Sequence, residues 1–235
     1  MDKNIRQAQF DVLKIFAPHS KTFALAGGTA LELYYLHHRF SVDLDFFSPQ
    51  YSFKEIDMLV CAFKGYARKI KMEAEFVASS HARVRFYSIP VKKTSRVLKV
   101  DFVEDVLFEK PTVEKFDNVP VYSAKNIYRQ KISAITGTRF KEDDLGRLHT
   151  HGRNQARDIF DLYMLSKKIC PLHIFLREQS RQVKRGIIHW YRTFSRQDVS
   201  LALLDLDMYD VKFDAKKMII YLEDEIKKTI KEELE

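Results

Sequence analysis

The chain has 235 residues, 46% of them apolar, with 18 Phe and 11 Tyr, which is enough to build one large core or two small ones and too aromatic for a disordered chain. Its two cysteines, Cys61 and Cys170, make neither a disulfide framework nor a zinc knuckle, the segment MDKNIRQAQF lacks the apolar centre of a secretion signal, and no run reaches the ~18 apolar residues of a membrane span, so a reduced, cytoplasmic protein is expected. The net charge of +8 is uneven: residues 125–196 hold 16 Lys and Arg against 6 Asp and Glu, while residues 197–235 are acidic, so any attraction for polyphosphate or nucleic acid is concentrated in the front of the second half.

Ile5, Phe10, Leu13 and Phe16 share one helical face over residues 3–17, a run that Pro18 is expected to end. TFALA at 22–26 reads as a short buried strand, Gly27-Gly28-Thr29 as a turn, and ALELYYLHHRF as a helix beginning there. In SVDLDFFS, Val42, Leu44 and Phe46 alternate with Ser41, Asp43, Asp45 and Phe47, the pattern of a half-buried strand. Residues 53–69 predict a helix, and KMEAEFVAS, RVRFYSIPV and RVLKVDFVE predict three strands, the first two joined by a turn at SSHA. The stretch 109–123, EKPTVEKFDNVPVYS, reads as a linker. Beyond it AKNIYRQKISAITG, NQARDIFDLYMLSKK, the region from Leu172 to Phe194 and a short segment from Leu201 to Leu206 are helical in period. A last helix places Met218, Leu222, Ile226, Ile230 and Leu234 near one stripe. The expected architecture is α+β: a mixed-sheet domain with flanking helices over residues 1–122, then a helical bundle over 123–235.

Asp43 and Asp45 are two residues apart in a predicted strand, so both carboxylates point to one face. Like charges placed together suit a cation, and hard oxygen ligands suit Mg²⁺, which keeps waters and takes substrate phosphates. Asp101 in KVDFV, opposite Val100 and Phe102, offers a third carboxylate. Carboxylates on neighbouring strands can hold metal ions that stabilise the entering and leaving oxygens of an in-line displacement. A lone D-x-D is also what an exposed alternating strand supplies, so the upstream context decides. Only seven glycines occur, and two are adjacent at Gly27 and Gly28, between a strand and a helix. Glycine lets backbone approach a ligand, a helix start presents free N–H groups to phosphate, and Thr29 adds a hydroxyl donor. A G-G-T, a helix and then D-x-D on a strand resembles the site of the polymerase-β-like nucleotidyltransferase superfamily.

Three blocks, LAGGTALELYYLHHRFSVDLDFFS, KISAITGTR and RDIFDLYML, together resemble the AbiEii/AbiGii toxin family of nucleotidyltransferases from about residue 20 to 168. Arg39, Ser41, Asp43 and Asp45 match that family's Arg-x-Ser-x-Asp-x-Asp block, its lysine falls on Lys131, and its later aspartate falls on Asp158. The resemblance implies a palm-like sheet domain, Mg²⁺, a nucleoside triphosphate, transfer of a nucleotide to an acceptor that is RNA at the 3′ end of tRNA, a toxin or phage-defence role, and a separately encoded antitoxin. Taken with the residue reading above, which supplies Gly27, Gly28, Thr29 and Asp101, it makes Gly27, Gly28, Thr29, Arg39, Ser41 and Lys131 nucleotide-binding, Asp43, Asp45 and Asp101 metal-binding, and Asp158 an assistant to the acceptor. The charged insertion FKEDDLGRLHTHGRN departs from the family and leaves Arg139 unplaced.

Read from chemistry alone, Lys131 belongs to a basic helix face with Lys125, Arg129 and Arg139, and Arg157 with Asp161 is an i,i+4 surface ion pair. His37-His38 and His149-Thr150-His151 lack metal spacing. Trp190, Tyr191 and Phe194 are expected in the bundle core, and Arg177, Arg181, Lys184, Arg185, Arg192 and Arg196 on an RNA-backbone surface. Two rivals share these blocks: a small-molecule nucleotidyltransferase of the aminoglycoside-modifying type, and an inactive nucleotide- or RNA-binding module.

Overall fold

The computed structural model describes residues 1–77, 82–137, 140–142, 148–150, 152–153, 155–210 and 212–234, with backbone alone at 140–142 and 148–150. The turn expected at SSHA, Arg139 and the side chains of His149 and His151 lie outside that description. The chain divides into two compact units, Met1–Ile127 and Tyr128–Glu235.

The first unit is built on a seven-stranded mixed sheet. Helix α1, Lys3–His19, is followed by β1, Ala24–Ala26, then α2, Gly27–Ala30, which continues as a π-helical turn over Leu31–Leu36. Next come β2, Leu44–Ser48, and α3, Phe53–Phe63; then β3, Lys71–Phe76, β4, Val84–Pro90, β5, Val97–Glu104, β6, Val113–Phe116, and β7, Val119–Tyr122. The strand order is β3-β4-β5-β2-β1-β7-β6. The β2–β5 and β1–β7 pairs are parallel and the other four antiparallel.

One face of this sheet is dry. Leu44, Phe46, Leu98, Val100 and Phe102 are fully buried with Val12, Leu13 and Phe16 of α1 and Ile56, Leu59 and Phe63 of α3. The rings of Phe16 and Phe46 stack at 3.9 Å, and Phe102 packs on Phe46 and Phe63. The period-2 strands therefore send Asp45 and Asp101 to the opposite face.

Several sequence expectations need correction here. Phe10 is 48% exposed; α1 buries Ala8, Gln9 and Val12 beside Ile5, Leu13 and Phe16, and Pro18 sits in its last turn. Val42 precedes β2 and is exposed. Gly27-Gly28-Thr29 is the opening of a helix, with Gly27 alone in a left-handed conformation at φ +69°. The stretch taken for a linker holds the β6–β7 hairpin. Asp117 and Asn118 both have positive φ, the mark of a two-residue primed turn, and β7 then pairs with β1.

The second unit is mainly helical. Helix α4, Ala124–Thr136, spans the division between the units; α5 is Ala156–Lys168, α6 Leu172–Arg177, α7 Arg181–Thr193, α8 Arg196–Ala202 and α9 Ala215–Leu234. A two-stranded ladder, β8 (Phe140–Glu142) with β9 (Leu148–Thr150), interrupts the helices where only an insertion was expected. Trp190, Tyr191 and Phe194 are buried together, with the Trp190 and Phe194 rings stacked at 4.8 Å. Helix α9 buries Met218, Leu222 and Ile226, but the stripe continues through Glu225 and Thr229, and Leu234 is exposed.

Candidate active site

The glycine pair and the carboxylate strand meet through register. β1 runs antiparallel to β2 with Ala26 opposite Asp45, so the next residue, Gly27, sits against the Asp45 side chain. A Cβ on Gly27 would run into the Asp45 carboxylate, and a Cβ on Gly28 would lie 2.5 Å from an Arg39 Nη2 and 2.9 Å from the Ser41 Oγ. Both glycines are thus spaces that the site's own polar side chains pass through: a side chain at Gly27 meets both the Asp45 carboxylate and a left-handed backbone, and one at Gly28 would have to displace the ends of Arg39 and Ser41. Ala26, the cap residue of α2, has no side chain that could cap it, so the start of the helix depends on groups from elsewhere in the site.

On the other side of β2, Asp45 is in register with Asp101 of the parallel strand β5. Asp43 lies just ahead of β2, where its carbonyl is held by Thr29. All three are partly exposed, in contrast to the buried Leu44, Phe46, Val100 and Phe102 between them. Among the described residues, no three His, Cys, Asp or Glu side chains converge closely enough to hold a metal ion by themselves. The donor set is nevertheless hard oxygen, and Mg²⁺ is usually held by one or two carboxylates completed by water and substrate phosphates, so the Asp45–Asp101 pair fits that ion.

The loop leading to Asp43 is pinned from beneath. The Ser41 N–H donates to the Glu32 Oε2 at 2.7 Å, the Ser41 carbonyl accepts from the Gln9 Nε2 at 2.8 Å, and the other oxygen of Glu32 takes an ion pair from Arg6. Thr29, expected to offer its hydroxyl to a phosphate, is fully buried and donates that hydroxyl to the Asp43 carbonyl. Its side chain holds the carboxylate loop in place. Arg39 is buried. Glu32 and Gln9 were missed in the sequence; their only signal is a polar residue inside an otherwise apolar helical face.

Lys131 and Asp158 lie in the second unit and pair with each other. The Lys131 ammonium is 2.7 Å from the Asp158 Oδ1 and 2.7 Å from the Asp161 Oδ2, and both carboxylates are fully buried. The Arg153 Nε lies 2.7 Å from the Asp158 Oδ2. Burial alone would raise the Asp158 pKa, but the charges of Lys131 and Arg153 outweigh it and hold the carboxyl below its ordinary value. Lys131 is therefore buried rather than part of an exposed basic face, and Asp161, read from the sequence only as an i,i+4 partner of Arg157, is itself buried and is the second anchor of Lys131. Gly152 makes the approach of Arg153 possible. A Cβ there would strike the last carbonyls of α4, and the Arg153 N–H donates to one of them, that of Ala134, at 2.8 Å.

Of the six cations expected on an RNA surface, Arg177 makes a two-point pair with Glu232, Lys184 pairs with Glu233, and Arg196 lies over the rings of Tyr191 and Phe194. Arg181, Arg185 and Arg192 remain as an exposed stripe at helical spacing along α7, whose thirteen residues include no Asp or Glu.

A mixed sheet with a glycine-opened helix against a carboxylate-bearing strand, followed by a helical unit, is the fold of nucleotidyltransferases. A crystal structure of an H. pylori protein ascribed to that class shares it with a TM-score of 0.63 and 20% identity, covering 100% of this chain and 99% of that one. JHP933 from Helicobacter pylori shares it with a TM-score of 0.58 and 20% identity over 98% and 94% of the two chains. No curated protein matches the chain in sequence. Residues 11–229 match the family described as nucleotidyl transferase AbiEii toxin, type IV toxin–antitoxin system, and the chain belongs to that family. It is a nucleotidyltransferase of a toxin–antitoxin type, a class that implies a nucleotide substrate and an antitoxin partner.

Proposed function

We propose that this protein is a Mg²⁺-dependent nucleotidyltransferase toxin that moves a nucleotide from a nucleoside triphosphate to RNA, with the 3′ end of tRNA as acceptor. The observation that carries this is the in-register Asp45–Asp101 pair, with Gly27 opening directly onto Asp45. The backbone of Gly27, Gly28 and Thr29 would receive phosphate oxygens, helped by the donors of Arg39 and Ser41 packed against Gly28. Asp45 and Asp101 would hold Mg²⁺ together with water and substrate phosphates, with Asp43 joining them once the substrate is in place, and the ion when bound would neutralise charge on the phosphates and on the attacking oxygen. In the reaction the acceptor hydroxyl oxygen bonds to the α-phosphorus, the bond from that phosphorus to the β-phosphate oxygen breaks, and pyrophosphate leaves. The hydroxyl proton passes to a carboxylate, for which Asp101 is our candidate.

Lys131 would grip the triphosphate. Its ammonium is held in one orientation by the Asp158 and Asp161 carboxylates. Asp158 would act on the acceptor side through the orientation of Lys131 and Arg153, since it is itself fully buried. An RNA acceptor is supported by the exposed Arg181, Arg185 and Arg192, because phosphate contacts dominate RNA affinity. The protein is incubated with Mg²⁺, each labelled nucleoside triphosphate in turn, and either total tRNA or an aminoglycoside. Label in tRNA supports the reading; label only in the amino-sugar selects a small-molecule enzyme, and label in neither selects an inactive binding module.

A further inference from the structure

The row of in-register positions that contains the carboxylates does not stop at Asp101. It runs Ala26, Asp45, Asp101, Phe86 and Ala74 across β1, β2, β5, β4 and β3. In-register residues on adjacent strands share a face, so Phe86 projects beside Asp101. Its neighbour Tyr87 takes the buried face, with its ring 5.9 Å from Phe102. Phe76, at the end of the edge strand β3, meets Phe86 edge-on at 5.9 Å and 82°, and is 58% exposed. Ala74, directly beside Phe86, adds little bulk. Lys99, two residues before Asp101 on the same strand face, is exposed.

Two rings left partly in water beside a carboxylate pair forgo burial that a core position would give them. Their arrangement matches the parts of a terminal nucleotide. The hydroxyl that attacks must come to the carboxylates. The base of the same nucleotide lies one sugar away, a reach comparable to the ~4.8 Å strand spacing that separates Asp101 from Phe86. Aromatic faces accept any base, and Lys99 supplies a charge for the preceding phosphate. A polycationic amino-sugar has no use for either ring and is repelled by the lysine.

We infer that Phe86 and Phe76 form a stacking platform for the terminal bases of a single-stranded polynucleotide acceptor, with Lys99 facing its backbone. This rests on the reading that the acceptor is RNA. The test uses the full-length protein and a short single-stranded RNA whose 3′-terminal base is 2-aminopurine, whose emission falls on stacking. Wild type should quench the emission. Phe86→Ala should lose the quench and raise the KM for RNA roughly tenfold or more, leaving the KM for the nucleoside triphosphate in place, and Phe86→Trp should recover the quench. Should Phe86→Ala fail to fold, Phe76→Ala, on the exposed edge, carries the same measurement.

If wild type labels RNA and both alanine variants match it in emission and KM, the platform is overturned while the functional reading stands. If Phe76→Ala instead breaks an oligomer with the RNA KM unchanged, the β3 edge pairs chains and the platform is overturned. If wild type labels an amino-sugar and no RNA, the functional reading fails first and the platform falls with it.

Discussion

Asp45 and Asp101 stand side by side in parallel strands, and the Asp45 carboxylate fills the space where a Gly27 side chain would be. The glycine pair and the carboxylate face are therefore one structure, and a change in either should be felt in the other.

Gly27→Ala should be the more damaging of the two glycine substitutions. The new Cβ meets the Asp45 carboxylate and must sit at φ +69°, where the left-handed backbone costs about 1–2 kcal/mol for a residue with a side chain. Gly28→Ala presses on the ends of Arg39 and Ser41, so its main effect should be a raised KM for nucleoside triphosphate. Urea unfolding and initial-rate kinetics separate the two; equal loss of stability in both variants would contradict this.

Lys131→Met removes the cation from two fully buried carboxylates and should cost about 3–5 kcal/mol in urea unfolding. Asp158 also sets an acid limit. Its carboxyl titrates below its ordinary 3.8 in the folded chain, so its stabilisation is complete above that value and is lost as pH falls through the lower folded one. Asp158→Asn should lower stability at neutral pH and flatten the fall between about pH 4 and more acid conditions. An unchanged acid limb would contradict it.

Replacing Arg181, Arg185 or Arg192 by Gln should weaken RNA binding in a salt-dependent manner. Each cation that touches a phosphate should lower the slope of log K against log salt by about 0.7 for single strands. Arg177→Gln, which breaks a pair with Glu232, should change that slope less.

Much of the site was legible in the sequence because it is local. The strand placement of Asp45 between Leu44 and Phe46 and of Asp101 between Val100 and Phe102 needs only short-range geometry. What was missed depends on partners far along the chain. Thr29 looks like a phosphate ligand until Asp43 folds back over it. Asp161 looks like half of a surface pair until α4 brings Lys131 against it. The β6–β7 hairpin was hidden because Asp117-Asn118 reads as loop unless both residues are allowed positive φ. Phe10 fits the helical period of α1 but falls at the rim, while the polar Gln9 goes inside to hold Ser41.

The most direct measurement is nucleotide transfer by Asp45→Asn and Asp101→Asn compared with wild type, as a function of Mg²⁺ and with folding followed by circular dichroism. Loss of either charge should lower the rate by roughly 100-fold or more with the fold retained, on the scale of removing one group that stabilises developing charge. Folded variants that transfer nucleotide at the wild-type rate would contradict the assignment of this carboxylate pair.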